Sequence, residues 1–248
     1  MTDLRVLRSG TDGPTVLLLH GLGATADVWR GVGAALGPRA WVAPDLPGHG
    51  GSPPLPEYTF AAVANAVAHL VDPAGTVVLG HSFGGVVALH LARRPGVRAV
   101  VGLGIKADWS ADDLARAAAL SARDPAWFDT RDEAVERHLR LAGLTGLVPA
   151  SEVEAGVVGE GGRWRAALDP RAFGVGDPDL TGLGATAPVP VVLARGEHDR
   201  MVSTAQLRAH VPDPVDLPGL GHNAHVEAPS AVVALLPDRS RRSASWES

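Results

Sequence analysis

A serine set among glycines, between an apolar run and a helical pattern, constrains this chain most strongly. The segment Thr76–Gly85 reads TVVLGHSFGG and contains the pattern G-x-S-x-G. Its leading residues favour a buried strand, and the residues that follow favour a helix. Glycines at these positions permit a sharp strand-to-helix turn that pushes the hydroxyl of Ser82 out at the top of a sheet. The bare pattern is weak evidence, so the prediction depends on this context.

Short apolar runs alternate with helical patterns along most of the chain. This rhythm predicts an α/β fold, with a mainly parallel twisted sheet and helices on both faces. The expected strands are Thr15–Leu19, Trp41–Ala43, Thr76–Leu79, Val97–Ile105, Val189–Ala194 and, more weakly because of its two prolines, Val211–Leu217. The expected helices are Thr25–Leu36, Thr59–Val71, Phe83–Arg93, Thr204–His210 and Pro229–Leu235.

The alternation stops between about residues 107 and 187. Helices are expected at Ser110–Leu120, where Ser110 and Asp113 suggest an N-cap pair, and at Arg131–Leu141, with a hairpin or loop at Val157–Trp164. The stretch Gly176–Pro190 is expected to be a linker that returns the chain to the sheet. We therefore predict a core of residues 1–106 and 188–248 with a helical cap or lid inserted at 107–187.

A serine hydroxyl needs a base to take its proton before it becomes a good nucleophile. Of the ten histidines, His222 is the best candidate. It lies in a glycine-rich loop after the last strand-like run, from which an imidazole can reach across the top of the sheet. His225 is the local alternative.

The imidazole in turn needs a carboxylate to fix its tautomer and stabilise its cation. Asp199 follows a strand-like run and is expected at the same sheet edge as the serine, in the chain order Ser, Asp, His. Glu197 and Asp108 are the alternative acids. The negative charge that develops on an attacked carbonyl oxygen also needs backbone N–H donors. We expect these from Phe83, which follows the serine, and from Leu22 in the segment HGLG.

Composition limits the partners. The net charge of −5 argues against nucleic acid, and the absence of cysteine excludes thiolate chemistry and disulfides. No apolar run is long enough to span a membrane, and the first residues lack the apolar region of a secretory signal, so a cytoplasmic location is expected. A metal site of His198, His222 and His225 is conceivable but not expected, since no metal-ligand helix pattern such as H-E-x-x-H occurs. The oligomeric state is not predicted.

Taken together, these segments resemble the α/β-hydrolase family. The resemblance rests on four segments: HGLG at 20–23, DLPGHGGS at 45–52, GHSFGG at 80–85, and GEHD at 196–199 with Gly221-His222. It covers about residues 4–106 and 188–236, and it is specific for the fold and the triad but not for the substrate.

The resemblance implies two-step acyl transfer, with no metal and no organic cofactor. Ser82 would attack, His222 would move the proton, and Phe83 and Leu22 would hold the oxyanion, with a carboxylic ester, lactone or thioester as substrate. Hydrolysis of a C–C bond, a lyase reaction and cofactor-free oxygen chemistry on the same triad remain open, as does a hydrolase-like receptor for a small molecule.

The cap is expected to select a small-molecule substrate that has an apolar part. Its candidate contacts are Trp109, Trp127, Phe128 and Trp164, which could equally form a small core of the cap itself. Lys106 and Arg165 could meet an anionic substrate group, or could simply be solvated charges.

Overall fold

The computed structural model describes residues 3–184 and 187–237. The strands are β1 (Val6–Ser9), β2 (Asp12–Leu19), β3 (Arg39–Pro44), β4 (Thr76–His81), β5 (Val97–Leu103), β6 (Val157–Glu160), β7 (Arg163–Ala166), β8 (Val191–Gly196) and β9 (Val215–Leu217). The helices are α1 (Arg30–Ala35), α2 (Phe60–Val67), α3 (Phe83–Leu91), α4 (Ala111–Ser121), α5 (Arg131–Leu141), α6 (Leu180–Gly184), α7 (Thr204–Arg208), α8 (Ala224–Glu227) and α9 (Pro229–Val233).

Within these ranges, one sheet has seven strands in the order β1-β3-β2-β4-β5-β8-β9. All neighbours are parallel except β1, which pairs antiparallel with β3 at the edge. The expected α/β class and mainly parallel sheet are therefore confirmed. Because parallel strands all end at the same edge, the residues after β4, β5, β8 and β9 meet there.

The sheet is covered on both faces, which explains why its strands are almost continuously apolar. Leu17 and Leu19 of β2 face α2 and α3, in a cluster with Phe60 and Val87. The alternate residues of β2 face the opposite side, where α1, α8 and α9 supply the second half of the core. Burial of both faces leaves no polar alternation along the central strands.

Several boundaries differ from the expected ones for local reasons. The strand expected at Val211–Leu217 begins only at Val215, because Pro212 and Pro214 cannot donate to a ladder. The helix expected at Thr25–Leu36 opens with a 3-10 turn at Ala26–Trp29. Three elements were not expected at all: β1, a short half-exposed edge strand, α6, which lies inside the expected linker Gly176–Pro190, and α8, which follows His222.

The described residues between 107 and 184 add no strand to the main sheet. Both expected helices form, and each begins with a capping box, made by Ser110 with Asp113 and by Thr130 with Glu133. The glycine-rich stretch forms the hairpin β6–β7. The division into core and cap stays a prediction, and residues 1–2, 185–186 and 238–248 of those ranges lie outside the described part.

The segment DLPGHGGS is a buried polar junction rather than a loop of the cavity. The Asp45 carboxylate is fully buried and accepts hydrogen bonds from Ala26 N at 2.7 Å and Gly51 N at 2.9 Å, while the Arg5 guanidinium lies 3.1 Å from it. The Ser52 hydroxyl donates to the Asp45 carbonyl at 2.7 Å. The junction thereby fixes the chain after β3.

In the parts of the chain that the structure describes, no helix combines the length and the apolar character that a bilayer crossing demands.

Asp45→Asn should lower the free energy of unfolding by about 3 kcal/mol, because it removes the buried charge that faces Arg5 and replaces one of the two oxygens that accept from Ala26 N and Gly51 N with an NH2 group that cannot accept. Urea unfolding monitored by tryptophan fluorescence measures the change. Asp129→Asn, which removes the exposed partner of Arg163, is the control and should leave the unfolding midpoint where it is. Equal stability of the Asp45 variant and the wild type would contradict the structural role of this junction.

Candidate active site

Ser82 occupies a strained turn between β4 and α3. Its φ of 48° and ψ of −115° lie outside the regions that a side chain normally allows. The turn is possible because the backbones around it pack without side chains. A Cβ on Gly80 would lie 2.1 Å from Gly84 O, and a Cβ on Gly84 would lie 2.3 Å from Leu19 O. Such a backbone costs on the order of 1–3 kcal/mol, which the surrounding packing must offset.

His222 and Asp199 form a direct pair at the same sheet edge. His222 Nδ1 lies 2.9 Å from Asp199 Oδ2, and the second carboxylate oxygen accepts from Met201 N at 2.7 Å. The Asp199 side chain is fully buried, whereas the imidazole is 26% exposed. With both oxygens occupied, the carboxylate fixes which ring nitrogen of His222 carries a proton and leaves Nε2 available.

One cavity of about 320 Å³ brings the serine and the histidine together. Ser82 and His222 both line it, as do Leu22 and Phe83. Among the described residues, no hydrogen bond joins the Ser82 hydroxyl to the His222 ring. Nor does the backbone N–H of Leu22 or Phe83 have an acceptor within that part of the chain. These donors and the hydroxyl are therefore all available to a molecule in the cavity.

The comparison with known families agrees with this geometry. A model described as the alpha/beta hydrolase family matches residues 16–235. The chain belongs to the alpha/beta hydrolase family.

Curated relatives match this chain at higher identity but over only part of its length, whereas solved structures match most of its length at lower identity. Lipase LipV of Mycobacterium tuberculosis is 45% identical over 94 residues, which are 36% of this chain and 36% of that protein. The pimeloyl-[acyl-carrier protein] methyl ester esterase of Chromobacterium violaceum is 45% identical over 84 residues, or 33% of this chain and 32% of that protein. The match thus spans about a third of the length of these curated relatives.

Solved structures match over nearly the whole chain. E-2-(acetamidomethylene)succinate hydrolase has a TM-score of 0.75 at 27% identity, covering 93% of this chain and 92% of the other. The thioesterase domain from the curacin biosynthetic pathway also has a TM-score of 0.75, at 20% identity, covering 95% and 98%. The second likeness shows the alpha/beta hydrolase fold alone.

The alternative base and acids lie in other surroundings. His225 is 1% exposed and packs between the rings of His81 and Trp29, at centroid distances of 4.2 and 4.7 Å. Asp108 accepts a hydrogen bond from Gln206 Nε2 at 2.6 Å, and Glu197 accepts from Gly219 N at 2.8 Å. In this member of the hydrolase family, Asp199 is the expected acid that the structure brings to His222.

The aromatic residues expected in the cap separate into two places. Trp109 lines the cavity. Phe128 pairs with Trp164 of strand β7 through two backbone hydrogen bonds of 2.7 and 2.8 Å, and the Trp127 ring lies 5.4 Å from the Arg165 guanidinium. These three and Arg165 are not among the described lining residues, while Lys106 is. The lining also includes cap residues that sequence reasoning missed: Arg140, Leu141, Phe173 and Val175.

Asn223 was also missed, although its position beside His222 was a usable signal. It is 5% exposed, and its Nδ2 donates to Gly143 O at 2.8 Å. Gly143 follows α5 with a φ of 66° and lines the cavity. This hydrogen bond ties the end of α5 to the loop that carries His222.

Two buried imidazoles, those of His81 and His20, form hydrogen bonds with the backbone near the cavity. His81 donates from Nε2 to the His222 carbonyl at 2.9 Å. His20 accepts from Leu46 N at 2.8 Å, so its proton is on Nδ1, which donates to Gly21 O. Burial lowers the pKa of His81 well below its usual value and lowers the pKa of His20 to about 4. Neutral rings are therefore part of the folded structure.

In residues 3–184 and 187–237, no group of three or more histidine or acidic side chains has a metal-binding arrangement.

Stability should fall as the pH drops from 6.5 towards 4. Burial lowers the pKa of His20 and His138 to about 4 and that of His49 and His225 to about 3. The unfolded chain takes up protons near pH 6.5, whereas the folded chain does not, so each group contributes stability above that pH and loses it below, by up to about 1.4 kcal/mol per pH unit. Urea unfolding at pH 7.5, 6.5 and 5.5 measures the slope.

His138→Leu removes one such group from α5 and should reduce the slope by about one proton. His69→Gln changes an exposed imidazole and serves as the control. A slope that His138→Leu leaves unaltered would contradict the buried neutral state.

Proposed function

We propose that this protein is a serine hydrolase that cleaves a carboxylic ester, lactone or thioester through a covalent acyl-Ser82 intermediate. The observation that carries the proposal is the strained turn of Ser82, on the wall of a cavity that it shares with an imidazole paired to a buried carboxylate. Nucleophilic catalysis explains why a serine has a strained backbone and shares a cavity with a base, because the reaction needs an accessible hydroxyl and a group that takes its proton.

In the first step, Ser82 Oγ attacks the carbonyl carbon and His222 Nε2 takes the hydroxyl proton. The imidazolium that forms donates from Nδ1 to Asp199 Oδ2, and burial of that carboxylate makes the pair strong. His222 then gives the proton to the departing alcohol or thiol. Water, activated by the same ring, releases the acid and restores the serine.

Leu22 and Phe83 hold the oxygen that becomes negative. Both line the cavity, and their backbone N–H groups lack acceptors in the described structure. Phe83 also opens α3, so its N–H points out of a helix N-terminus, where negative charge is stabilised. Donors fixed in advance stabilise the transition state without reorganisation.

The relatives and the cavity support an ester-like substrate of modest size. The matched relatives are named a lipase and a methyl ester esterase, and one structural neighbour is named a thioesterase. The cavity wall is mainly apolar, with Leu22, Phe60, Val86 and Phe173. A volume of about 320 Å³ is at the low end for small-molecule sites, which favours a short acyl group.

Ser82→Ala should abolish both turnover of p-nitrophenyl butyrate and covalent labelling by a fluorophosphonate, because the nucleophile is gone. Loss of several orders of magnitude in kcat is expected. Ser230→Ala, an exposed serine of α9, is the matched control and should label and turn over like the wild type. Undiminished turnover in Ser82→Ala would refute the proposal, and ligand binding without any turnover by the wild type would point to a receptor.

Asp199→Asn should lower kcat about 10⁴-fold, because an amide can favour the wrong tautomer of His222. Asp108→Asn is isosteric in the same way but alters an acid bonded to Gln206, so its kcat should stay within about twofold of the wild type. Steady-state kinetics on one activated ester measure both variants. The reverse ranking would show that Asp108 is the orienting acid.

A further inference from the structure

The cavity wall carries charge of one sign. Lys106 and Arg140 both line it, and no described lining residue is an aspartate or a glutamate. Apart from Ser82, the histidines and the backbone N–H groups of Leu22 and Phe83, most of the remaining wall is apolar. The two cations differ in how far their charge is already compensated.

The charge of Lys106 is compensated within the protein. Its Nζ lies 2.8 Å from Asp113 Oδ1 and 5.0 Å from the centroid of the Trp109 ring. Asp113 is itself held by Ser110, whose backbone N and hydroxyl donate to it at 3.1 and 2.8 Å. Lys106 therefore closes the cavity wall as one member of a fixed ion pair.

Arg140 is much less constrained. Its ion-pair partner is Glu136, one helical turn earlier, with Nη1 and Oε2 3.3 Å apart. The side chains are 54% and 69% exposed, and such pairs in water contribute little. A guanidinium has five N–H donors in a fork that matches a carboxylate, so most of the binding capacity of Arg140 is free.

We propose that the substrate of this enzyme carries a carboxylate that binds Arg140 while its ester carbonyl lies at Ser82. The proposal rests on the serine hydrolase function proposed above. Arg140 is the lining cation with the weaker ion pair, and its single charge favours a carboxylate over a doubly charged phosphate. A guanidinium and a carboxylate form two parallel charge-assisted hydrogen bonds, which are stronger than those between neutral groups. The substrate class is thus a short ester or thioester that carries a free carboxylate on its acyl side or on its alcohol side.

Two substrate series test this proposal. In one, monomethyl esters of C4–C8 dicarboxylic acids carry the carboxylate on the acyl side. In the other, acetate esters of C2–C6 ω-hydroxy acids carry it on the alcohol side. Each is compared with its neutral analogue, in which a carboxamide replaces the carboxylate at almost the same size. The readout is the ratio of kcat/KM for the acid to kcat/KM for the amide.

For the wild type, the ratio should reach about 10 to 100 at one chain length in at least one series. Arg140→Gln should reduce that ratio at least tenfold, and Glu136→Gln should raise it, because the competing carboxylate is removed. Arg137→Gln, on the same helix but outside the described cavity lining, should leave the ratio unchanged. Raising NaCl to 0.5 M should lower the ratio in the wild type.

The outcomes separate this proposal from the function on which it rests. A wild type that turns over acid and amide equally, at every chain length of both series, would refute carboxylate recognition and leave the serine hydrolase function standing. A preference for the acid that persists in Arg140→Gln would also overturn the assignment of Arg140. Absence of turnover in both series, together with no fluorophosphonate labelling of Ser82, would refute the hydrolase function itself.

Discussion

The backbone at Ser82 is the constraint on which the rest of the structure depends. A residue with φ near 48° between a strand and a helix persists only where packing on all sides prevents relaxation. Here β4 is fully buried, and the contacts of Gly80 and Gly84 leave no room for a side chain. The same contacts that hold the strain bring α3 against the sheet and expose the hydroxyl at the edge where the strands end.

The site is assembled at that edge from separate segments of the chain. Asp199 follows β8, and His222 follows β9. Gly104 follows β5 and lies against Asp199, since a Cβ on Gly104 would be 3.1 Å from Asp199 Oδ2. The His222 carbonyl rests on the His81 ring, and Asn223 ties the next residue to the end of α5. Because His81 directly precedes Ser82, the position of the His222 loop is coupled to the strand that leads into Ser82.

Sequence reasoning succeeded where chemistry and backbone geometry require particular residues. Three local signals correspond to features of the structure. The G-x-S-x-G pattern forms the turn before α3, Ser110 and Asp113 cap α4, and Asp199 follows β8 and contacts His222. The parallel sheet followed from apolar runs, because burial of both faces removes the alternation that other strands show.

What could not be predicted depends on tertiary contacts that leave no local pattern. The edge strand β1 is short and half-exposed, so its residues resemble a loop. The expected aromatic residues at 109, 127, 128 and 164 were treated as one group, but of these only Trp109 is among the described lining residues, whereas Phe128 pairs with Trp164 of strand β7. Arg140 and Leu141 resemble the rest of an amphipathic helix, and only their position at the cavity that Ser82 also lines sets them apart.

Isolation of the acyl-enzyme tests the central claim most directly. The protein is mixed with p-nitrophenyl acetate, quenched in acid within milliseconds, and analysed by intact mass and peptide mapping. The account predicts a burst of p-nitrophenol of about one equivalent and one added acetyl group, located on Ser82. Steady turnover with no acetylated protein at any time, or an acetyl group on a different residue, would contradict it.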